Sequence, residues 1–221
     1  MITFIITTSL YIHPKLLENI NSMLVPHLLQ MRYIQYIQSV PEIIHFAKNL
    51  GARVIVVENN GSRQTIFDGM GCEVLYTYSN GLETKTKGTK ELLDIWACIN
   101  HFQIPDDELI VKVSGRYKID FEGNFCKELK QYNPETTDCI IRYGWYGDME
   151  NDKPHENCLT GLIAMKCKYV KAIRHEDKEL ESVEWNWART SLTIDSSRVI
   201  AIKGSIGYRM CEWNTFDYKD L

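Results

Sequence analysis

Residues 108–119 read ELIVKVSGRYKI. Leu109, Ile110, Val111 and Val113 form a short apolar run that ends abruptly in Ser114-Gly115-Arg116-Tyr117. A run of this kind, closed by a small residue and a glycine, predicts a buried central strand that delivers its carboxyl end into a crevice. Ligands of open α/β sheets gather in that crevice. There the chain places a hydroxyl, a glycine, a guanidinium and an aromatic ring. The planar donor fork of Arg116 suits phosphate oxygens. Read alone, the same residues equally describe a type II turn carrying a surface arginine, so the neighbouring segments have to decide.

Three further runs predict strands of the same sheet. Ile2 to Thr8 (ITFIITT) is rich in β-branched residues and ends in the small hydroxyl residues Thr7-Thr8-Ser9. Arg53 to Glu58 (RVIVVE) runs into Glu58-Asn59-Asn60-Gly61, a strand leaving the core into a tight turn. Cys72 to Thr77 follows a short helical segment at Thr65 to Met70. At strand ends of this type Thr8, Glu58 and Asn59 are candidates to hold a ribose or a base edge, although they serve a plain turn equally well.

Helices are expected between these strands. Pro14 to Leu29 has apolar residues near helical spacing, interrupted by Pro26. Arg32 to Leu50 has a clearer stripe of Ile34, Ile37, Val40, Ile43, Ile44, Ala47 and Leu50, with Pro41 a point of division and Gly51 the stop. Within Asn80 to Asn100 the stripe is Leu92, Leu93, Ile95, Trp96 and Ile99. Lys85, Lys87 and Lys90 crowd its amino end, where the helix dipole favours anions, so a bound phosphate there would relieve the mismatch. A solvated basic loop is the alternative, and the Walker spacing is absent.

The later segments continue the alternation. Asn124 to Tyr132 is helical in pattern, Asp138 to Tyr143 and Leu159 to Met165 are strands, and a helix begins at Lys168 to Ile173. Gly144 to Asn157 is a long polar loop whose Trp145 and Tyr146 suit stacking on a sugar or base. In Arg174 to Arg189 (RHEDKELESVEWNWAR), Glu181 and Glu184 are three apart on an expected helix beside Trp185 and Trp187. They are the candidate carboxylate bases, against the simpler reading of an exposed acidic face. Strand Val199 to Ile202 and an aromatic-containing tail, Gly204 to Leu221, complete the pattern.

Composition narrows the class. A 221-residue chain, 44% hydrophobic and 24% charged, has ample length for a core. Its net charge of -4 excludes a global basic field for nucleic acid or anionic lipid, while a local phosphate site needs only one or two cations. The seven cysteines form no CxxC pair and no regular framework, which points to a reducing compartment. MITFIITTSLYIHPK is too short for a membrane span and lacks a basic leader region, so a cytoplasmic protein without a span is expected.

In its order of elements the chain resembles a GT-A-fold glycosyltransferase, and VSGRY (residues 113–117) in place of the middle motif is similar to sugar transferases of bacterial surface polysaccharides and large DNA viruses. The resemblance rests on the strand ending in TTS, RYIQYIQSV opened by Arg32, RVIVVENNG, the KG-containing helix start, LTGLIAMKCKYVKAI and ESVEWNWAR. It implies one glycosyltransferase-like domain over residues 1–221, with a mostly parallel central sheet flanked by helices. It further implies a nucleotide-sugar donor and a glycan acceptor. Thr8, Glu58 and Asn59 would hold the nucleoside, Lys87 and Arg116 the diphosphate, Ser114 and Gly115 the sugar end, and Glu184 would be the base. One departure stands out. The family's metal motif, Asp-any-Asp at the end of the middle strand, is replaced by Ser114-Gly115-Arg116, while Asp106-Asp107 lies at the strand's other end. A divalent cation (Mn or Mg) is therefore left open, with Asp148 as a remote candidate ligand.

Two rivals remain. A nucleotidyltransferase or methyltransferase would want a glycine-rich loop after the first strand, where Thr7-Thr8-Ser9-Leu10 supplies none. A non-catalytic sugar- or nucleotide-binding module is favoured by the missing Asp pair.

Overall fold

The computed structural model describes residues 1–11, 22, 25–61, 63–144, 156–178, 181–211 and 218–220. Residues 109–114 form the central strand of the main sheet. Strand β4 (Leu109–Ser114) lies between β1 (Ile2–Thr8), to which it is parallel, and β7 (Leu162–Lys166), to which it is antiparallel. With β2 (Arg53–Glu58), β3 (Glu73–Tyr76), β6 (Cys139–Ile141) and β8 (Val199–Ala201) they form a seven-stranded sheet of order β3-β2-β1-β4-β7-β6-β8. The pairings from β3 to β4 are parallel, β6 is antiparallel to β7, and β8 is parallel to β6, so β7 alone runs against the rest. The mixed α/β, mostly parallel sheet flanked by helices that the sequence implies is thus present. A second, three-stranded sheet joins β5 (Lys118–Ile119), β9 (Tyr208–Cys211) and β10 (Tyr218–Asp220).

Alternation along the strands builds two cores. Phe4, Ile6, Val54, Val56, Val111 and Val113 face α1 (Val25–Asn49) and α3 (Asn124–Lys130). Ile5, Ile55, Val57 and Ile110 face α2 (Lys87–His101), α4 (Cys167–Ala172) and α5 (Val183–Ser191). Burial on both faces explains why these strands read as nearly continuous apolar runs.

Several expectations shift. Helix α1 is continuous through Pro41. Pro41 sits on the exposed side, where the carbonyl it leaves unpaired, that of the 40% exposed Ile37, meets solvent. Of the expected stripe Val40, Ile43, Ile44 and Ala47 are buried, while towards the amino end Gln35, Tyr36 and Ser39 take the inward face in place of Ile34 and the exposed Ile37. Pro26 begins this helix, as proline can in a first turn, and does not interrupt it. Most of the segment before it, residues 12–21 and 23–24, lies outside the described residues. Helix α5 starts at Val183, so Glu181 precedes it and does not share a helical face with Glu184. Among the described residues no helix is long and apolar enough to cross a membrane, and Cys72, Cys98, Cys126, Cys139, Cys158 and Cys167 are free.

Two polar knots hold α2 against the sheet. In the first, Lys112 of β4 is 1% exposed and its Nζ lies 2.9 Å from Glu91 Oε1. The same Nζ donates to Ser114 Oγ at 3.0 Å and to the Thr160 carbonyl. Glu91 also accepts from Thr7 Oγ1 at 2.5 Å. Burial alone would raise the Glu91 pKa, but Lys112 and the hydroxyls of Thr7 and Ser114 outweigh it and hold the carboxyl below its ordinary range. In the second knot, Asp94, 1% exposed, accepts from Ser79 and Thr77 hydroxyls at 2.5 Å each and from Asn59 Nδ2 at 3.2 Å. Burial prevails here and pushes the Asp94 carboxyl up to about 6.

Lys112→Met strands Glu91 without its cation and is expected to destabilise the fold by about 2–4 kcal/mol, reduced from the fully buried case because Glu91 keeps a face on the cavity. Lys112→Met combined with Glu91→Leu should recover most of that loss, and urea unfolding of the three proteins reads the difference. A carboxyl with a raised folded pKa binds more protons folded than unfolded, so the Asp94 contribution is fully present below about pH 4 and lost as pH rises towards 6. Asp94→Asn should therefore flatten the fall in melting temperature across that window, a fall worth on the order of 2–3 kcal/mol in the parent.

Candidate functional site

The chain builds β1, β2 and β3 outward to one side, then returns to lay β4 on the other side of β1. At such a switch point the connections diverge and leave a crevice at the carboxyl ends of the strands. A cavity of ≈ 290 Å³ opens there, lined from the sheet by Thr7, Thr8, Asn59, Lys112, Ser114 and Thr160. Because β7 runs the opposite way, its amino end brings Thr160 and Gly161 to the same edge, and Ser114 N donates to Gly161 O at 2.9 Å.

The turn after β4 explains its glycine. Tyr117 N donates to Ser114 O at 3.0 Å, closing the turn, and Gly115 N donates to Thr7 O at 3.0 Å. Neither Gly115 nor Arg116, the two central residues, has positive φ, so the turn is not of type II and a left-handed backbone is not what selects the glycine. A Cβ at this position would lie 2.9 Å from Thr8 Cγ2 and 3.0 Å from Ile6 Cγ2, so the glycine permits close approach of the turn to β1. Arg116 is thereby carried into the cavity wall. Gly88 plays the corresponding part in α2: a Cβ there would meet Val183 at 2.9 Å. Its absence lets the first turns of α2 and α5 meet, which puts Lys87 and Glu184 on one cavity.

Three cations face one another across this space. Arg32 reaches it from α1, Lys87 from the start of α2 and Arg116 from the β4 turn. Burial lowers the pKa of Arg32, and Arg116 lowers it further while Tyr36 opposes both. The protein packed around Lys87 depresses its ammonium pKa, helped by Arg116 and Arg32. That Arg116 acts on both groups and Arg32 on Lys87 means that like charges have been brought within interaction distance. The buried Nε of Arg32 has no hydrogen-bond partner among the described residues. Three repelling cations with an unmet donor describe a site for a multiply charged anion.

Glu184 lines the same cavity from the first turn of α5, where a carboxylate suits the helix dipole. Its Oε2 accepts from Ser182 Oγ at 2.5 Å and its Oε1 from Thr160 Oγ1 at 3.4 Å. The amino end of α2 is also partly satisfied from within the chain. Thr86 caps Thr89 N at 3.3 Å, and Asp177 accepts from Lys85 N and Thr89 Oγ1 at 2.9 Å. The mismatch of Lys85 with the helix dipole therefore does not require a ligand.

Of the residues singled out in the sequence, Thr8, Asn59, Lys87, Ser114, Gly115, Arg116 and Glu184 line the cavity. Glu58 stands behind it, fully buried, accepting from Thr8 Oγ1 at 2.8 Å and from Leu10 N at 3.2 Å. It is bonded to the loops after β1 and β2 and is not among the residues that line the space. Glu181 is not among the lining residues, and Trp145, Tyr146 and Asp148 lie outside the described residues. Sequence reasoning passed over Arg32, Tyr36, Glu91 and Lys112. A lysine inside LIVKVS was a usable signal, since a buried ammonium must find a carboxylate. Arg32 and Tyr36, one helical turn apart, had no such mark. Two hollows of ≈ 830 and ≈ 540 Å³ lie elsewhere on the surface, and neither is lined by Arg32, Lys87 or Arg116.

No protein-family model and no curated protein sequence matches the chain. Solved structures do match. A protein assigned as a glucose-1-phosphate thymidylyltransferase from Bacillus anthracis, solved with sucrose, is similar at a TM-score of 0.55 and 13% identity, over 95% of this chain and 89% of that one. Mannosyltransferase PcManGT from Pyrobaculum calidifontis, in complex with GDP-Man and Mn2+, gives 0.48 and 11%, over 91% of this chain and 54% of that one. A protein assigned as a nucleotide-diphospho-sugar transferase from Desulfovibrio desulfuricans G20 gives 0.47 and 11%, over 91% and 79%. At such identities likeness speaks of fold, and the chain has the GT-A-like fold of the nucleotide-diphospho-sugar transferases.

Proposed function

We propose that this protein is a glycosyltransferase that moves a sugar from a nucleotide-diphosphate sugar to an acceptor hydroxyl on a glycan or glycoprotein. The observation that carries the proposal is the pairing, across one switch-point cavity, of Arg32, Lys87 and Arg116 with the carboxylate of Glu184. In this reading Thr8 and Asn59 border the nucleoside end, and the three cations hold the diphosphate. Ser114 and Gly115 border the sugar. Glu184 takes the proton from the acceptor hydroxyl as its oxygen bonds to the anomeric carbon. The bond from that carbon to the diphosphate oxygen breaks, and the nucleoside diphosphate leaves with the electron pair. Fixed cations beside the leaving oxygens are worth most at that moment, because charge is developing there. The proposed unit spans residues 1–221.

The alternative, a sugar- or nucleotide-binding module that does not turn over its ligand, draws on the absence of Asp-any-Asp from the end of β4. Consumption of the donor separates the two readings. With UDP-, GDP- or dTDP-linked sugars and a glycan acceptor, release of nucleoside diphosphate is the expected result, and binding without any release would favour the module. Glu184→Gln should lower the transfer rate at least a hundredfold while leaving nucleoside diphosphate affinity within about threefold. A variant that transfers at the parent rate would remove Glu184 from the base role.

A further inference from the structure

The place where a metal-dependent relative would carry its ion is built differently here. The end of β4 holds Ser114, Gly115 and Arg116. The carboxylates that line the cavity are Glu91, Asp94 and Glu184, and each is already engaged. Glu91 is held by Lys112 at 2.9 Å and Thr7 at 2.5 Å. Asp94 is 1% exposed and accepts from Ser79, Thr77 and Asn59. Glu184 is bound by Ser182 at 2.5 Å. No group of three His, Cys, Asp or Glu residues among the described residues is arranged to hold an ion. A hard divalent cation needs several oxygen ligands free to converge, and here the carboxylate nearest the end of β4 already serves an ammonium. The described residues do not fit the ion.

They fit its charge instead. We infer that Arg32, Lys87 and Arg116 take the place of a divalent cation, so that the site binds a nucleoside diphosphate without metal. The inference rests on the nucleotide-sugar reading of the same cavity. Its support is twofold. The three side chains converge from three separate elements on one cavity. They also do so at a cost, since each pair among them repels and Arg32 keeps a buried donor without a partner. A multiply charged diphosphate removes the repulsion and supplies the missing acceptor. The buried Lys112–Glu91 pair fits the same arrangement. It fills the floor next to Ser114 with a neutral unit, so Glu91 is already matched by an ammonium of its own.

The test is calorimetric titration of the full chain with UDP, GDP, CDP and dTDP, first in EDTA and then with excess MnCl2 or MgCl2. One of the four is expected to bind in EDTA, with an affinity that metal changes by less than about threefold. Arg32→Gln, Lys87→Gln and Arg116→Gln should each weaken that binding by about tenfold to a hundredfold, the range for loss of a charge-assisted hydrogen bond, with no rescue by either metal. Melting curves of the variants establish that they are folded, and three independent positions keep the test intact if one is not. A nucleoside diphosphate that binds only in the presence of Mn2+ or Mg2+ would overturn the inference and leave the transferase reading standing. Failure of all four to bind in either buffer would overturn that reading, and the inference with it.

Discussion

The buried ammonium of Lys112 is the constraint around which the centre of this protein is arranged. An unpaired charge at 1% exposure in the middle strand would cost several kcal/mol, so the chain must supply a carboxylate and further acceptors there. Glu91 comes from α2, the Thr160 carbonyl from the approach to β7, and Ser114 from the end of the same strand. Thr7 of β1 joins through Glu91. One side chain therefore ties three neighbouring strands and a helix into a single network. Each of these elements also contributes to the cavity wall. Their relative positions are set by hydrogen bonds with little slack, as a site that must place charges accurately requires.

Close packing completes the arrangement. Gly115 lets the turn after β4 lie against Thr8 and Ile6, and Gly88 lets the first turns of α2 and α5 touch. Without these approaches Arg116 and Lys87 would stand farther from each other and from Glu184. The same closeness makes the cations repel, which works against the empty fold and in favour of an anion-bound one. Stability surrendered at a binding site and recovered on ligation is a common pattern where charges are preorganised.

Much of the fold was legible because both faces of the sheet are covered. ITFIITT, RVIVVE and ELIVKVS read as strands, since β-branched residues fill most positions and no solvent-facing side demands alternation. Helix α1 was harder. Its inward face carries Gln35, Tyr36 and Ser39, with Ser39 Oγ bonded to the Gly115 carbonyl, so a search for apolar residues alone rotated the stripe towards Ile34 and Ile37. Ser39 and Tyr36 spend this buried face on hydrogen bonds to the turn after β4 and the loop after β1, contacts that hydrophobic periodicity does not register. The paired glutamates failed for a local reason. Helix α5 begins only after Ser182, and that start separates Glu181 from Glu184.

By itself the sequence determined the order and type of the main strands, the crevice-directed turn at Ser114 to Tyr117 and the absence of an Asp pair beside it. These are local properties, written in runs of a few residues whose burial and turn chemistry do not depend on distant partners. Only the tertiary structure decided which charges meet. Arg32, Lys87 and Arg116 are separated by tens of residues, as are Lys112 and Glu91 or Thr160 and Glu184. Their convergence follows from strand order, from one antiparallel strand and from two glycine contacts. Those are long-range packing choices, and no single segment of the chain encodes them.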